Sequence, residues 1–200
     1  MDFIDLAAQQ RQIRNIIDQN IKAVLDHGQY IIGPEIALLE KELLRYAGGK
    51  HAIACASGTD ALLMALMAYG VGPGDAVLTT PFTFIATAEV ISLLGATPVY
   101  IDIDPKTFNI DPGHLERAFA ALRRGDRATY PLPAPAGAAS LRARGIIAVD
   151  LFGLLAEYGR LHDIAKRHGL FLIEDAAQSF GAEFQGRKSC SFGDIACTSF

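Results

Sequence analysis

The sequence predicts an α/β domain in which a mostly parallel sheet is covered by helices on both faces. Two observations carry this. From about residue 52 onward, short apolar runs of strand length alternate with longer amphipathic segments, the pattern of repeated strand–helix crossovers. The 200 residues, 50% of them hydrophobic, can also bury one substantial core, and the length favours one domain over two. In such a sheet the ligand site belongs at the carboxyl ends of the strands.

Taken in order, Ile13, Ile16, Ile17, Ile21, Val24 and Leu25 stand at helical spacing, and Gly28 stops that helix. After Gly33 and Pro34 a second helix runs through Leu38, Leu39 and Leu43 to Gly48 and Gly49. Ala52-Ile53-Ala54-Cys55 reads as a strand, and Ser57-Gly58-Thr59-Asp60 then opens a helix that reaches about Tyr69. Further strands are expected at residues 76–79, 98–103, 145–149, 170–173 and 195–199, with helices at 86–94, 115–122 and 158–168. Residues 123–144, centred on Pro131-Leu132-Pro133-Ala134-Pro135-Ala136-Gly137, interrupt the alternation. They are too long for an ordinary connection and too poor in periodic apolar residues to pack, so a Pro/Ala-rich exposed loop is expected there. The final run, residues 194–200, reads as a strand without a turn or polar tail, which suggests a fragment of a longer chain.

Composition excludes several classes. The net charge of -4 comes without a basic stripe or an aromatic-basic cluster, which argues against nucleic acid as a partner. No run approaches 18 apolar residues, and Asp2 and Asp5 stand where a signal peptide would carry cations, so a cytoplasmic protein without a membrane partner is expected. Cys55, Cys190 and Cys197 form no Cys-x-x-Cys pair and read as reduced, buried thiols. The five histidines lack metal-ligand spacing, and no metal is expected.

Several strand ends carry chemistry. Ser57-Gly58-Thr59-Asp60 lies between a strand and a helix, where free N–H groups and the positive end of the helix dipole can cradle a phosphate; the competing reading is a cap, with Ser57 as N-cap and Asp60 three residues on. Asp175 follows the apolar run Leu170-Phe171-Leu172-Ile173 and lies at the carboxyl edge of the sheet. A carboxylate there is costly to desolvate without a cation, and a protonated ring nitrogen is a suitable one; the alternative is an N-cap for the next turn. Gln178, three residues later, faces the same way and can donate to a ring hydroxyl. In the segment Pro81-Phe82-Thr83-Phe84, Phe84 is placed to stack on a flat ring and Phe82 reads as core. Asp150 closes Ile146-Ile147-Ala148-Val149 as either an orienting group or a loop start. Dinucleotide, P-loop and nucleophile-elbow motifs are absent.

These segments together resemble the DegT/DnrJ/StrS family of pyridoxal-phosphate (PLP) dependent nucleotide-sugar aminotransferases. The matching runs are Phe3-Ile4-Asp5-Leu6, His27-Gly28-Gln29-Tyr30-Ile31-Ile32-Gly33-Pro34-Glu35, Ser57-Gly58-Thr59-Asp60, Gly70-Val71-Gly72-Pro73-Gly74-Asp75, Val99-Tyr100-Ile101-Asp102-Ile103-Asp104-Pro105 and residues 174–182, all in family order. The resemblance implies an aspartate-aminotransferase-like (fold type I) enzyme, with residues 1–200 the N-terminal part of its large PLP-binding domain and the small C-terminal domain absent. It assigns Gly58, Thr59 and Ser199 to the cofactor phosphate, Phe84 to ring stacking, Asp175 to the pyridine nitrogen and Gln178 to the ring hydroxyl.

The Schiff-base lysine is expected just beyond Phe200, so no catalytic residue is expected within these 200. Within the family, the N-terminal, Ser189-Cys190 and Ala196-Cys197-Thr198-Ser199-Phe200 stretches look most like bacterial enzymes that aminate a UDP-linked 3-keto sugar acid for surface polysaccharide synthesis, with glutamate as donor and a homodimeric assembly, and the Pro-Ala excursion after Arg123 departs from that pattern. Two alternatives stand beside this. One is a sugar 3-dehydrase on the same scaffold, with histidine in place of the lysine; the other is a non-catalytic PLP-binding module.

Overall fold

The computed structural model describes residues 4–133 and 141–200. The chain divides into two units, residues 1–44 with 51–54 and residues 45–50 with 55–200. In the first unit, α1 (Leu6–His27) is capped by Asp5, whose carboxylate accepts the Ala8 N–H at 2.8 Å, and ends at the left-handed Gly28. Its apolar residues Ile13, Ile16, Ile21 and Leu25 remain exposed. Helix α2 (Pro34–Ala47) starts with proline in its first turn, where the missing N–H costs nothing. Residues 52–54 do not form the expected strand. The Ala54 N–H donates to Glu40 Oε1 at 2.8 Å instead of to a neighbouring strand, and Ile53 is exposed.

The second unit holds the sheet. Its elements are α3 (Gly58–Ala68), β1 (Asp75–Thr79), α4 (Ala86–Leu93), β2 (Thr97–Tyr100), α5 (Pro112–Arg124), β3 (Arg142–Val149), a 3-10 turn (Leu151–Gly153), α6 (Tyr158–His168), β4 (Phe171–Asp175), the antiparallel pair β5 (Glu183–Phe184) and β6 (Arg187–Lys188), and β7 (Ile195–Cys197). Five strands pair in parallel in the order β2-β1-β3-β4-β7. The strand expected at 98–103 is shorter than its apolar run, because Asp102 and Asp104 turn the chain by accepting N–H groups of Ile103 and of Lys106 and Thr107.

Strand alternation sorts the core into two layers. Val77, Ile147, Phe171 and Ile173 meet Leu62 and Leu66 of α3 and Val90 and Ile91 of α4. The opposite face, Leu78, Ile146, Ala148 and Leu172, meets Leu115, Ala118 and Phe119 of α5 and Leu161 and Ile164 of α6.

Residues 123–144 depart from the expected exposed loop at both ends. Arg123 and Arg124 form the last turn of α5, where cations complement the helix dipole. Arg142 and Arg144 already belong to β3 and pair with the buried Asp75 of β1 at 2.8 and 3.0 Å. Charged residues made this strand start look like loop. Between them Tyr130 is buried and its hydroxyl donates to the Tyr100 carbonyl at 3.2 Å; the Ala-rich centre, residues 134–140, lies outside the described residues.

One close approach sets the register of β3 against β4. Gly145 pairs with Phe171, whose ring lies flat over it and is stacked on the other side by Tyr69 at 4.1 Å. A Cβ on Gly145 would stand 2.0 Å from the Phe171 ring. Gly145→Ala is therefore expected to lower stability by about 2–3 kcal/mol in urea unfolding. The same change combined with Phe171→Ala should cost clearly less than the two losses added, and additive losses would show that the ring is not what Gly145 accommodates.

Candidate functional site

A cavity of about 350 Å³ opens at the carboxyl ends of β1, β3, β4 and β7, lined among others by Ser57, Gly58, Thr59, Thr83, Phe84, Thr87, Asp175, Gln178 and Ser199. All six residues expected to hold a cofactor line it. At one end stands the N-terminus of α3. Ser57 is its N-cap: the Ser57 hydroxyl accepts the Asp60 N–H at 3.1 Å and donates to the Asp60 carboxylate at 3.0 Å. The cap and the phosphate readings thus coexist, because the cap occupies Asp60 N–H while Gly58 and Thr59, in the first helical turn, have no intrahelical acceptor. Gly58 permits the approach of Ser199, whose Cβ would lie 3.1 Å from a Cβ at residue 58. The Ser199 loop is in turn fixed by Ala176 N–H to the Cys197 carbonyl at 2.7 Å and by the Thr198 hydroxyl to the Ala176 carbonyl at 3.2 Å.

At the other end Asp175 is buried, 5% exposed. It accepts from the Thr87 hydroxyl at 2.8 Å and the Ala177 N–H at 3.3 Å, and Thr87 is itself within 3.0 Å of the Thr83 hydroxyl. Among the described residues no cation reaches it, and burial pushes its carboxyl above the usual range against the pull of those two donors. Phe84 is exposed at the cavity wall. Phe82, expected in the core, is instead exposed, with its ring beside those of Phe108 and Phe152. Gln178 lies in a turn, and its Oε1 accepts the Phe152 N–H at 2.7 Å. That bond leaves the amide nitrogen as the group available to the cavity.

In the other half of this architecture, sequence reasoning singled out Asp150 but passed over Glu174. Because alternate residues face opposite ways, Asp175 continues the α3 face of β4 while its neighbour Glu174 continues the α6 face. Glu174 is fully buried and accepts backbone N–H groups from Cys190 at 2.6 Å, Phe192 at 2.7 Å and Gly193 at 3.1 Å. Asp150, which directly follows β3 two residues beyond the Ala148 that pairs with Glu174, is also fully buried. It accepts from Ala156 N–H at 3.0 Å, the Tyr158 hydroxyl at 2.8 Å and the Ser179 hydroxyl at 2.9 Å, and Ser179 and Ser189 hydroxyls lie 2.6 Å apart, linking Asp150 towards Glu174. Asp150 is therefore an orienting group that anchors the 176–182 turn carrying Gln178. The signal for this was the period of two, which puts Asp150 and Glu174 on the same face near the ends of adjacent strands.

The cysteines are all free, and they differ from the uniform burial expected: Cys197 is buried, Cys190 half-buried and Cys55 exposed. Burial pushes the Cys197 thiol up to about 12 and the Cys190 thiol up to about 11, away from thiolate chemistry. Among the described residues there is no metal-binding cluster, and no helix is long and apolar enough to cross a membrane.

Comparison with known proteins identifies the family. The DegT/DnrJ/EryC1/StrS aminotransferase family matches residues 11–200. The chain belongs to this family. A UDP-2-acetamido-2-deoxy-3-oxo-D-glucuronate aminotransferase of Pseudomonas aeruginosa is 48% identical over 200 residues, covering 100% of this chain and 50% of that protein. A DegT DnrJ EryC1 StrS aminotransferase from Brucella abortus, known from its crystal structure, superposes with a TM-score of 0.91 at 48% identity, over 100% of this chain and 50% of that one. NtdA from Bacillus subtilis with bound cofactor PMP gives a TM-score of 0.75 at 31% identity, over 93% and 37%. The chain spans about half the length of the curated relatives it matches. The DegT-type sheet, mostly parallel and of the fold type I kind, is the one the sequence predicts.

The buried carboxyl beneath the DegT-type site makes stability depend on pH. Burial raises Asp150 to about 7, with the nearby Glu174 charge adding and the Ala156, Tyr158 and Ser179 donors opposing. The unfolded chain releases this proton near 4. Asp150 thus contributes stability that is complete below that value and is lost as pH rises towards 7. Asp150→Asn keeps the shape and cannot ionise, so its urea midpoint should fall less steeply than that of the unsubstituted chain between pH 4.5 and 7.5. Parallel slopes would assign the pH dependence to other groups.

Proposed function

We propose that this cavity holds pyridoxal phosphate and that the chain supplies the cofactor-binding half of a cytoplasmic aminotransferase, which moves an amino group from glutamate to a UDP-linked 3-keto sugar acid for surface polysaccharide synthesis. The observation that carries the reading is Asp175: a buried carboxylate that faces a cavity, has two hydrogen-bond donors and lacks a cation among the described residues. A protonated pyridine nitrogen is the partner such a group needs. The size of the cavity suits one flat heteroaromatic ring with a phosphate at the α3 end.

Each residue then has a defined task. The free N–H groups of Gly58 and Thr59, the Thr59 hydroxyl and the Ser199 hydroxyl receive the phosphate, aided by the helix dipole. Phe84 covers one face of the ring, and the Gln178 amide nitrogen donates to the ring hydroxyl, its oxygen being held by Phe152. Thr87 orients Asp175 so that its charge meets the ring nitrogen and keeps that nitrogen protonated. When bound, the cofactor supplies the electron-withdrawing ring on which amino-group transfer depends. Among the described residues no lysine lines the cavity, and Lys188 lies over the Tyr46 ring at 4.0 Å. The lysine that holds the cofactor covalently is therefore assigned to the part of the enzyme outside these 200 residues. Support for the substrate comes from the 48% identity to an aminotransferase whose name specifies a UDP-linked 3-oxo-glucuronate, and a homodimer of the whole enzyme is part of the same proposal.

In the full enzyme Asp175→Asn should retain PLP, seen by absorbance, while kcat falls by about a hundredfold or more, because the change removes charge and leaves shape. Borohydride reduction and peptide mapping should label a lysine outside these 200 residues. Near-normal turnover in the variant, or label on Lys188, would overturn the assignment.

A further inference from the structure

Beside the cavity lies a second feature that the cofactor does not use. Three phenylalanines, Phe82, Phe108 and Phe152, follow the carboxyl ends of β1, β2 and β3, which are adjacent in the sheet. Their ring centroids are 5.8, 6.4 and 6.5 Å apart, and all three stay open to solvent at 46%, 42% and 73% exposure. Two of them adopt left-handed backbone, Phe108 at φ 62° and Phe152 at φ 56°. Bulky residues rarely occupy that region, and where they do the surrounding structure must hold them.

Here it does. The Asn109 side chain, buried at 3% exposure, accepts the Leu151 N–H at 3.1 Å and donates to the Leu154 carbonyl at 2.8 Å, clamping the turn that presents Phe152 to the loop that presents Phe108. The Phe152 N–H meets Gln178, which lines the cavity. A rigid aromatic ledge therefore adjoins the site through one hydrogen bond. The two positive-φ positions carry phenylalanine although glycine would fit them with less strain.

We propose that this ledge seats the nucleobase of the sugar-nucleotide substrate, with Phe152 as the main stacking face and Phe82 and Phe108 supporting it edge to face. The inference rests on the nucleotide-sugar reading above and deepens it by naming where the nucleoside half is recognised. Stacking on a phenyl face needs a flat heteroaromatic ring and no particular hydrogen-bond pattern, so the ledge would select for a base over the bare diphosphate.

The test uses the full enzyme with three probes titrated separately: PLP, UDP and inorganic pyrophosphate. Phe152→Ala and Phe108→Ala should each weaken UDP by about tenfold, leave pyrophosphate and PLP unchanged, and Phe152→Tyr should restore UDP binding. Phe152→Gly should lose UDP affinity without lowering the melting temperature, because glycine accepts φ 56° without strain, which separates a binding loss from a folding loss. Unchanged UDP affinity in Phe152→Ala with PLP bound normally would overturn the ledge while leaving the cofactor reading intact. A change in sedimentation behaviour without a change in UDP affinity would also overturn it, assigning the rings to self-association. Failure of the unsubstituted enzyme to take up PLP would instead count against the proposed function, and a UDP loss in the variants would still support the ledge.

Discussion

The site depends on the Glu174 carboxylate. It is satisfied by three backbone N–H groups from residues 190–193, with the Ser189 hydroxyl at 3.5 Å, and that arrangement brings β7 alongside β4. Removing any one donor would leave a buried charge short of a partner, at a cost of several kcal/mol. The loop is therefore bound as a unit. Only with β7 in place do Cys197 and Ser199 form the wall of the cavity that faces Gly58.

From this follows a division of labour between adjacent residues. Glu174 and Asp175 are neighbours in sequence, similar in chemistry and both buried, yet the period of two sends one into a protein-made cage and leaves the other at a cavity with two donors. The same period sets Asp150 beside Glu174 on the rear face, and the Ser179 and Ser189 hydroxyls connect them. The three carboxylates differ in the donors the fold supplies: three backbone N–H groups and the Ser189 hydroxyl at Glu174, one backbone N–H and two hydroxyls at Asp150, and one of each at Asp175. The least satisfied of them faces the space where a ligand fits.

Much of this was legible in the residues. The helices α2, α3, α4 and α6 fall within a residue or two of their expected bounds, because glycine, proline and an N-cap serine punctuate apolar stretches of clear period. The six cofactor candidates converge because each ends or soon follows a strand, or opens a helix, and in a parallel sheet those positions share one rim. The misreadings also have physical causes. Residues 52–54 have strand composition, but the Glu40 carboxylate takes the Ala54 N–H that a ladder would need. The start of β3 was hidden because Arg142 and Arg144 look solvated until the buried Asp75 of a strand 67 positions away in sequence is found opposite them. Phe82 was assigned to the core by hydrophobicity alone, which carries no information about which way a loop turns. The Glu174 cage was out of reach for a different reason: its donors are main-chain groups, and a sequence does not show where main-chain groups point.

The order in which the walls are laid down has a consequence for synthesis. A ribosome delivers the sheet in the sequence β1, β2, β3, β4, and at that stage Asp175 and Glu174 have both emerged, while the amides of residues 190–193 and the Ser199 hydroxyl are still to come. Until residues 190–199 arrive, Glu174 has none of its backbone donors and the cavity has no Ser199 wall opposite Gly58. The pocket of this unit is therefore incomplete while β1 to β4 are already present, and the amides that complete it come from main chain delivered after both acids.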